Sequence, residues 1–243
     1  MAKKQFKPGN MLAPVPAALI TCKDQEGRTN MLTLAWVGTV CSDPPMLSIS
    51  IRKERFSHHM VCETGEFVVN LTTEAILKAT DYAGVKSGRD VDKWKETGLT
   101  PEKAFVVDVP LIAESPVNLE CRVEQVLELG SHDMFIARIV AVDADEKYLD
   151  ENGRFRLEDC GLIAYSHGDY IALGKTVGTF GFSVRKASAK KTRKKQEPKK
   201  ASPKAQTLKN RTPEAQTLKN RTPKTKASAS PAEKKTAERK TAT

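Results

Sequence analysis

The stretch TLAWVGTVCSDPPMLSISIRKERFSHH, Thr33 to His59, decides how the chain is read. Its first part is apolar and stops at Ser42-Asp43-Pro44-Pro45, a cluster that turns a chain because Asp tolerates turn geometry and Pro presets φ. Residues 46–51 then alternate aliphatic side chains with Ser, the period-two pattern of a strand with one buried face. That strand runs directly into Arg52-Lys53-Glu54-Arg55 and Ser57-His58-His59. Ser57 is placed to cap a helix over 57–63. A helix N-terminus offers free N–H groups and a positive dipole end, which suit a phosphate, and Arg52 and Arg55 add charge-assisted bonds. An ordinary Ser cap beside surface arginines explains the same residues, and local physics alone favours it.

Outward from this stretch the pattern is mostly β. Residues 17–22 and 30–41 are strand-like runs separated by the polar turn KDQEGRT, which reads as a hairpin. FVVNL (67–71) is a short apolar strand. Two long arms, 117–129 and 133–142, join through Gly130-Ser131-His132, and residues 161–165 add a further strand. Helices are expected over 57–63, 73–82 and 90–96. Many strands, few short helices and no βαβ alternation predict a mainly β fold, a closed or partly closed barrel with peripheral helices.

Composition divides the 243 residues in two. Residues 184–243 carry 20 Lys/Arg against 4 Asp/Glu, a net +16, so the chain's overall +10 hides a body of −6. From Ala187 the chain is Lys, Ala, Ser, Thr and Pro, and PKAQTLKNRT (203–212) is followed at once by PEAQTLKNRT (213–222). Such a segment lacks the apolar area to offset its ordering entropy and is expected to be disordered. The expected division is a domain at 1–186 and a basic tail at 187–243. Lys and Arg without interleaved aromatics would attract polyanions non-specifically; a merely solvated tail or extension is the plainer reading. Five Cys without a C-x-x-C pair point to free thiols in a reducing, cytoplasmic compartment. The start, MAKKQFKPGN, has no apolar h-region, and no run has the length of a membrane span. The N-x-[ST] matches at Asn70, Asn210 and Asn220 are read as accidental.

Other groupings carry competing readings. His58, His59 and Cys62 lie at helical spacing and could form half a metal site, but no other half is evident; a Cys–His nucleophile likewise lacks an orienting third group. No metal is therefore expected. AYSHGDYIALGK places Tyr165, His167 and Tyr170 after a strand, as pocket-lining groups or as aromatics on a sheet edge. YAGVKSGRDVDKW (82–94) is either a loop over a pocket or a helix connection. Neither a dinucleotide G-x-G-x-x-G following a strand nor a P-loop is present, which disfavours both nucleotide folds.

Taken in order, NMLTLAWVGTVCSDPPMLSISIRKERFSHHMV, GEFVVNLTTE, YAGVKSGRDVDKW, SPVNLECRVEQVLELGSHDMFIARIVAVDADE and IAYSHGDYIALGKTVGTFGFSVRK resemble the flavin reductase-like FMN-binding family, with the flavoredoxin branch the nearest likeness. The resemblance spans about residues 14–186 and leaves the tail outside. It implies a split β-barrel that binds FMN noncovalently, as a homodimer with the flavin near the subunit interface. Hydride or electrons would pass through the flavin, from NADH or NADPH in a flavin reductase. In a flavoredoxin-like carrier without pyridine-nucleotide activity, a redox partner protein would supply them. The family's flavin-binding strand corresponds to Thr33, Leu34, Ala35 and Trp36, and its ribityl and phosphate region to Ser50, Arg52, Arg55 and Ser57. Ser87, Gly88 and Arg89 fall on a neighbouring loop, and His167 on the nicotinamide or substrate side.

Overall fold

Twelve strands and three α-helices organise the computed structural model, which describes residues 1–185. In chain order these are β1 (Val15–Pro16), β2 (Ala18–Lys23), β3 (Thr29–Leu34), β4 (Val37–Ser42), β5 (Pro45–Arg52), α1 (Phe56–Thr64), β6 (Glu66–Leu71), α2 (Leu77–Val85), α3 (Lys93–Thr97), β7 (Pro101–Glu102), β8 (Leu111–Ile112), β9 (Val117–Glu128), β10 (His132–Ala144), β11 (Ile163–Ser166) and β12 (Asp169–Ala172). The expectation of a disordered tail at 187–243 lies outside the described residues.

Seven strands form one antiparallel sheet in the order β3-β2-β6-β9-β10-β5-β4. Its two edge strands, β3 and β4, are consecutive and separated only by Ala35-Trp36, so the sheet must curl until its edges approach. At this seam the Ser50 N–H donates to the Trp36 carbonyl at 2.9 Å. Inward side chains from six of the strands meet in one core: Ala18, Ile20 and Cys22; Leu32; Leu47, Ile49 and Ile51; Phe67 and Val69; Cys121; Phe135 and Ala137. Met60 and Val61 of α1 complete that core. Each such aliphatic or aromatic side chain contributes roughly 1.5–3 kcal/mol on burial. The result is a mainly β split barrel.

The barrel's outer face is covered too, which explains why β2 reads as uniformly apolar rather than alternating. Leu19 and Met31 face outward against Ile76, Ala79 and Ala83 with Leu99 and Ile112. Val68 faces Ala104, Val107, Val109 and Leu111. Asn70, the first N-x-[ST] match, is fully buried; its amide donates to Leu19 O at 2.9 Å and accepts from Ile112 N at 2.9 Å and Asn118 Nδ2 at 2.7 Å.

Several sequence expectations need correction. The single strand over 30–41 is two, because the chain breaks at Ala35-Trp36 to cross the seam. The 73–82 helix begins as a 3₁₀ turn, Glu74–Ile76, before α2. The third helix starts at Lys93 rather than 90, where the Asp92 carboxylate accepts from the N–H groups of Trp94 and Lys95 at 3.0 and 3.3 Å. Ser57 is not the cap of α1. Arg55 holds that position with no side-chain cap bond, while the buried Ser57 hydroxyl accepts from Asn30 Nδ2 at 2.8 Å. β12 also escaped notice: His167-Gly168 is a two-residue hairpin turn, both residues at positive φ (51° and 100°). No helix among the described residues is long and apolar enough to cross a membrane.

Candidate functional site

A cleft of about 660 Å³ opens along the seam between β3 and β5. Thr33, Leu34, Ala35 and Trp36 form one wall, and Ser50, Arg52 and Arg55 continue it. His132, the register partner of Arg52, lines the cleft too, as do Tyr165, His167 and Tyr170, Asp81, Gly84 and Val85 of α2, and Leu12, Ala13, Val15 and Ala17, which add apolar surface. Trp36 is 38% exposed, so its indole is available to a ligand as well as to the barrel. Gly84 permits the close packing that shapes this wall, since a Cβ there would lie 3.2 Å from Thr33 Cβ. The Thr33 hydroxyl ties the same two elements together by donating to the Thr80 carbonyl.

Arg52 and Arg55 also line a second recess of about 420 Å³, so the two cavities share a border. Lys86, Ser87, Gly88, Arg89, Asp90 and Lys93 close it from the side of α2 and α3; Asn30, Leu32, Glu54, Phe56 and Ser57 close it from the side of the barrel and α1. Five cations therefore line this recess against two carboxylates, Glu54 and Asp90. The loop can sit this close only because residue 88 is glycine: a Cβ there would fall 2.5 Å from Asn30 Oδ1. Ser87 Oγ accepts from the Arg89 N–H at 3.2 Å, and the Arg89 guanidinium lies over the Phe56 ring at 5.8 Å.

Lys93 is the residue that sequence reasoning missed. It falls within the helix expected over 90–96, at the end of the 82–94 segment, and one Lys among charged neighbours gives no signal of burial. It is only 4% exposed, and its ammonium donates to the Met31 and Ala83 carbonyls at 2.8 and 2.7 Å. Among the described residues no carboxylate forms an ion pair with it. Burial, reinforced by the charge of Arg55, lowers its pKa from 10.5 to about 8. A buried cation facing a recess without a carboxylate counter-ion fits an anionic ligand group, and a phosphate supplies that charge.

In the cleft, the Tyr170 hydroxyl donates to Asp81 Oδ1 at 3.3 Å, and Tyr165 and Tyr170 pack edge to face at 5.7 Å. Burial, then the charge of Asp81, pushes the Tyr170 hydroxyl up to about 12, so it remains a proton donor at neutral pH. His167 is the one non-glycine residue at positive φ among those described, and this turn aims the segment at the cleft. His132, which ends the β9–β10 hairpin, reaches the cleft too, although its sequence position signalled only a turn. The sequence-predicted residues thus divide between two adjoining cavities. Thr33, Leu34, Ala35, Trp36, Ser50 and His167 line the cleft, Ser57, Ser87, Gly88 and Arg89 line the recess, and Arg52 and Arg55 border both. No cluster of three or more His, Cys, Asp or Glu among the described residues has metal-holding geometry.

A split barrel with an elongated cleft that ends in a cationic recess defines the class of flavin-handling barrels. The flavin reductase like domain model matches residues 11–170, and the chain belongs to that family. Its fold is similar to flavoredoxin of Desulfovibrio vulgaris (Miyazaki F), at TM-score 0.71 and 28% identity, covering 76% of this chain and 100% of that one. It is similar as well to an FMN-binding protein from Thermus thermophilus solved with bound 1-cyclohex-2-enone, at TM-score 0.61 and 25% identity, covering 74% of this chain and 97% of that chain. Among curated relatives, the NADH-dependent flavin reductase StyB of Pseudomonas fluorescens is 25% identical over 143 residues, 58% of this chain and 78% of that protein.

Proposed function

We propose that the protein holds FMN noncovalently in this cleft and works as an NAD(P)H-dependent flavin reductase-type oxidoreductase. The observation that carries the reading is that an aromatic-lined cleft of mixed apolar and polar surface borders a recess of net positive charge through Arg52 and Arg55. A flavin mononucleotide has that polarity, with a flat apolar ring at one end and a phosphate dianion at the other. The ring lies along Thr33, Leu34, Ala35 and Trp36, whose backbone offers polar groups to its edge. Ser50 flanks the ribityl chain. Arg52, Arg55, Arg89 and Lys93 hold the phosphate, with Ser87 on the neighbouring loop and Ser57 fixing Asn30 beneath it. His167 stands on the open side, where NADH or NADPH approaches.

When bound, the flavin supplies the redox chemistry by accepting and releasing a hydride or an electron pair. The chain's own residues supply position, charge compensation and exclusion of water, and hydride transfer to a flavin needs no acid–base pair or metal. A second reading, an electron carrier fed by a redox partner protein, has the similarity to flavoredoxin in its favour. Oxidation of NADH and of NADPH, followed with and without added FMN, separates the two. No turnover, together with a retained flavin that a partner protein reduces, overturns the enzyme reading.

Exposed Leu173, Val177 and Phe182 trail beyond β12 beside the cleft-lining hairpin in sequence, and they support a homodimer that covers them. Free thiols at all five Cys support a reducing, cytoplasmic setting. We assign the flavin to a domain at 1–186, with the tail at 187–243 dispensable for it.

A further inference from the structure

The strongest unassigned chemistry lies at the end of the barrel covered by α1, among residues that line neither the cleft nor the recess. Cys62 Sγ is 3.8 Å from His58 Nδ1, one helical turn earlier on α1. His58 Nε2 is 2.8 Å from Asp133 Oδ2 on β10. The orienting third group, invisible in sequence, is brought 75 residues along the chain by the β5–β10 pairing, in which Asp133 stands opposite Ile51. Asp133 shares the core-facing side of β10 with Phe135, and His58 packs edge to face on the Phe135 ring at 5.5 Å. The imidazole is therefore fixed on both its edge and its face. Cys62 is exposed, as a reacting thiol must be.

We propose that Cys62, His58 and Asp133 form a thiol-activating relay, a modification site at which Cys62 exchanges with small disulfides. Asp133, an ionised carboxylate, can only accept, so it requires the proton on His58 Nε2 and leaves the Nδ1 lone pair facing the thiol. Burial alone would raise the Asp133 carboxyl, but the hydrogen bond from His58 and the Lys53 ammonium, 3.3 Å from Oδ1, outweigh it and hold the group below its usual range. Lys53 is in turn shared with Glu128 at 2.7 Å. Burial, then the charges of Asp133 and Glu63, raises the Cys62 thiol, so at rest it is protonated. Activation thus occurs during attack rather than through a resting thiolate.

In that step the Cys62 S–H proton moves to His58 Nδ1 as Sγ bonds one sulfur of the incoming disulfide. The disulfide's own S–S bond breaks, and the leaving thiolate takes the proton from the imidazolium. Cys62 ends oxidised as a mixed disulfide, one equivalent of thiol is released, and excess thiol reverses the step. His58 is the general base, and Asp133 is a positioning residue.

The test uses the full chain with 2-hydroxyethyl disulfide as probe, with rates of mixed-disulfide formation at each Cys read by peptide mass spectrometry. Partly exposed Cys41, outside the relay, is the reference within the same molecule. The expected result is that Cys62 reacts about 100-fold faster than Cys41, the lower end of the range for general-base catalysis. Asp133→Asn and His58→Gln each remove that advantage and the matching limb of the Cys62 pH–rate profile, while Cys41 keeps its rate. If Asp133→Asn does not fold, His58→Gln and the wild-type pH profile still decide the matter. A Cys62 rate no greater than that of Cys41, or one unchanged in the variants, overturns the relay. Flavin content, measured on the same samples, reports on the cleft independently.

Discussion

Replacing Lys93 with Met separates two effects of a buried cation in this fold. Burial lowers the Lys93 pKa from 10.5 to about 8, which corresponds to about 3 kcal/mol of disfavour for the charged form. Against this, Lys93→Met leaves the Met31 and Ala83 carbonyls without their lysine donor, at about 1 kcal/mol each. Without ligand at pH 7, Lys93→Met is therefore expected to be about 1 kcal/mol more stable than wild type. The difference has a pH dependence of fixed sign. Below pH 8 the lysine is protonated in both folded and unfolded chains, and the full destabilisation is present. From pH 8 to 10.5 the folded protein has released the proton while the unfolded chain keeps it, so wild-type stability rises relative to the variant. The assay is urea unfolding of both proteins at pH 7, 9 and 10.5, without ligand and with saturating FMN. FMN keeps the ammonium charged, so it flattens the rise, and the variant binds FMN about 10- to 100-fold more weakly at pH 7. A stability difference that does not change with pH, or equal FMN affinity for both proteins, refutes the role given to Lys93.

Two further substitutions probe the same cavities. Arg52→Ala is expected to weaken FMN by about 1.5–3 kcal/mol in a fluorescence titration, the range for a charged hydrogen bond, although the exposed pair with Glu54 at 2.8 Å is lost at little cost to stability. Gly88→Ala forces the 87–89 loop away from Asn30, and about a 10-fold or greater loss of FMN affinity should accompany a stability loss on the order of 1 kcal/mol. Chemical denaturation and the same titration check both values; an unchanged Gly88→Ala protein would mean that the close approach to Asn30 is not needed.

What sequence could reveal depended on how local each signal was. The Ser-dotted β5, its Asp43-Pro44 turn and the long β9–β10 hairpin follow from alternation and turn chemistry within a dozen residues. The break at Ala35-Trp36 did not, because both flanking segments are strands and only closure of the barrel requires a crossing there. Arg52 and Arg55 were legible as a cationic corner. The function given to Ser57 was not, because its hydroxyl meets Asn30, 27 residues earlier, instead of capping its own helix. Lys93 and Asp133 share that origin. Each gains its chemistry from burial beside elements distant in the chain, and one residue's identity carries no trace of it.

The most direct measurement is the absorbance spectrum of the purified protein before and after titration with FMN. The expected result is a flavin spectrum, either retained through purification or restored at one FMN per chain, with perturbed bands and a loss of affinity in Arg52→Ala and Lys93→Met. A colourless protein that leaves the spectrum of added FMN unchanged would contradict the assignment of the cleft.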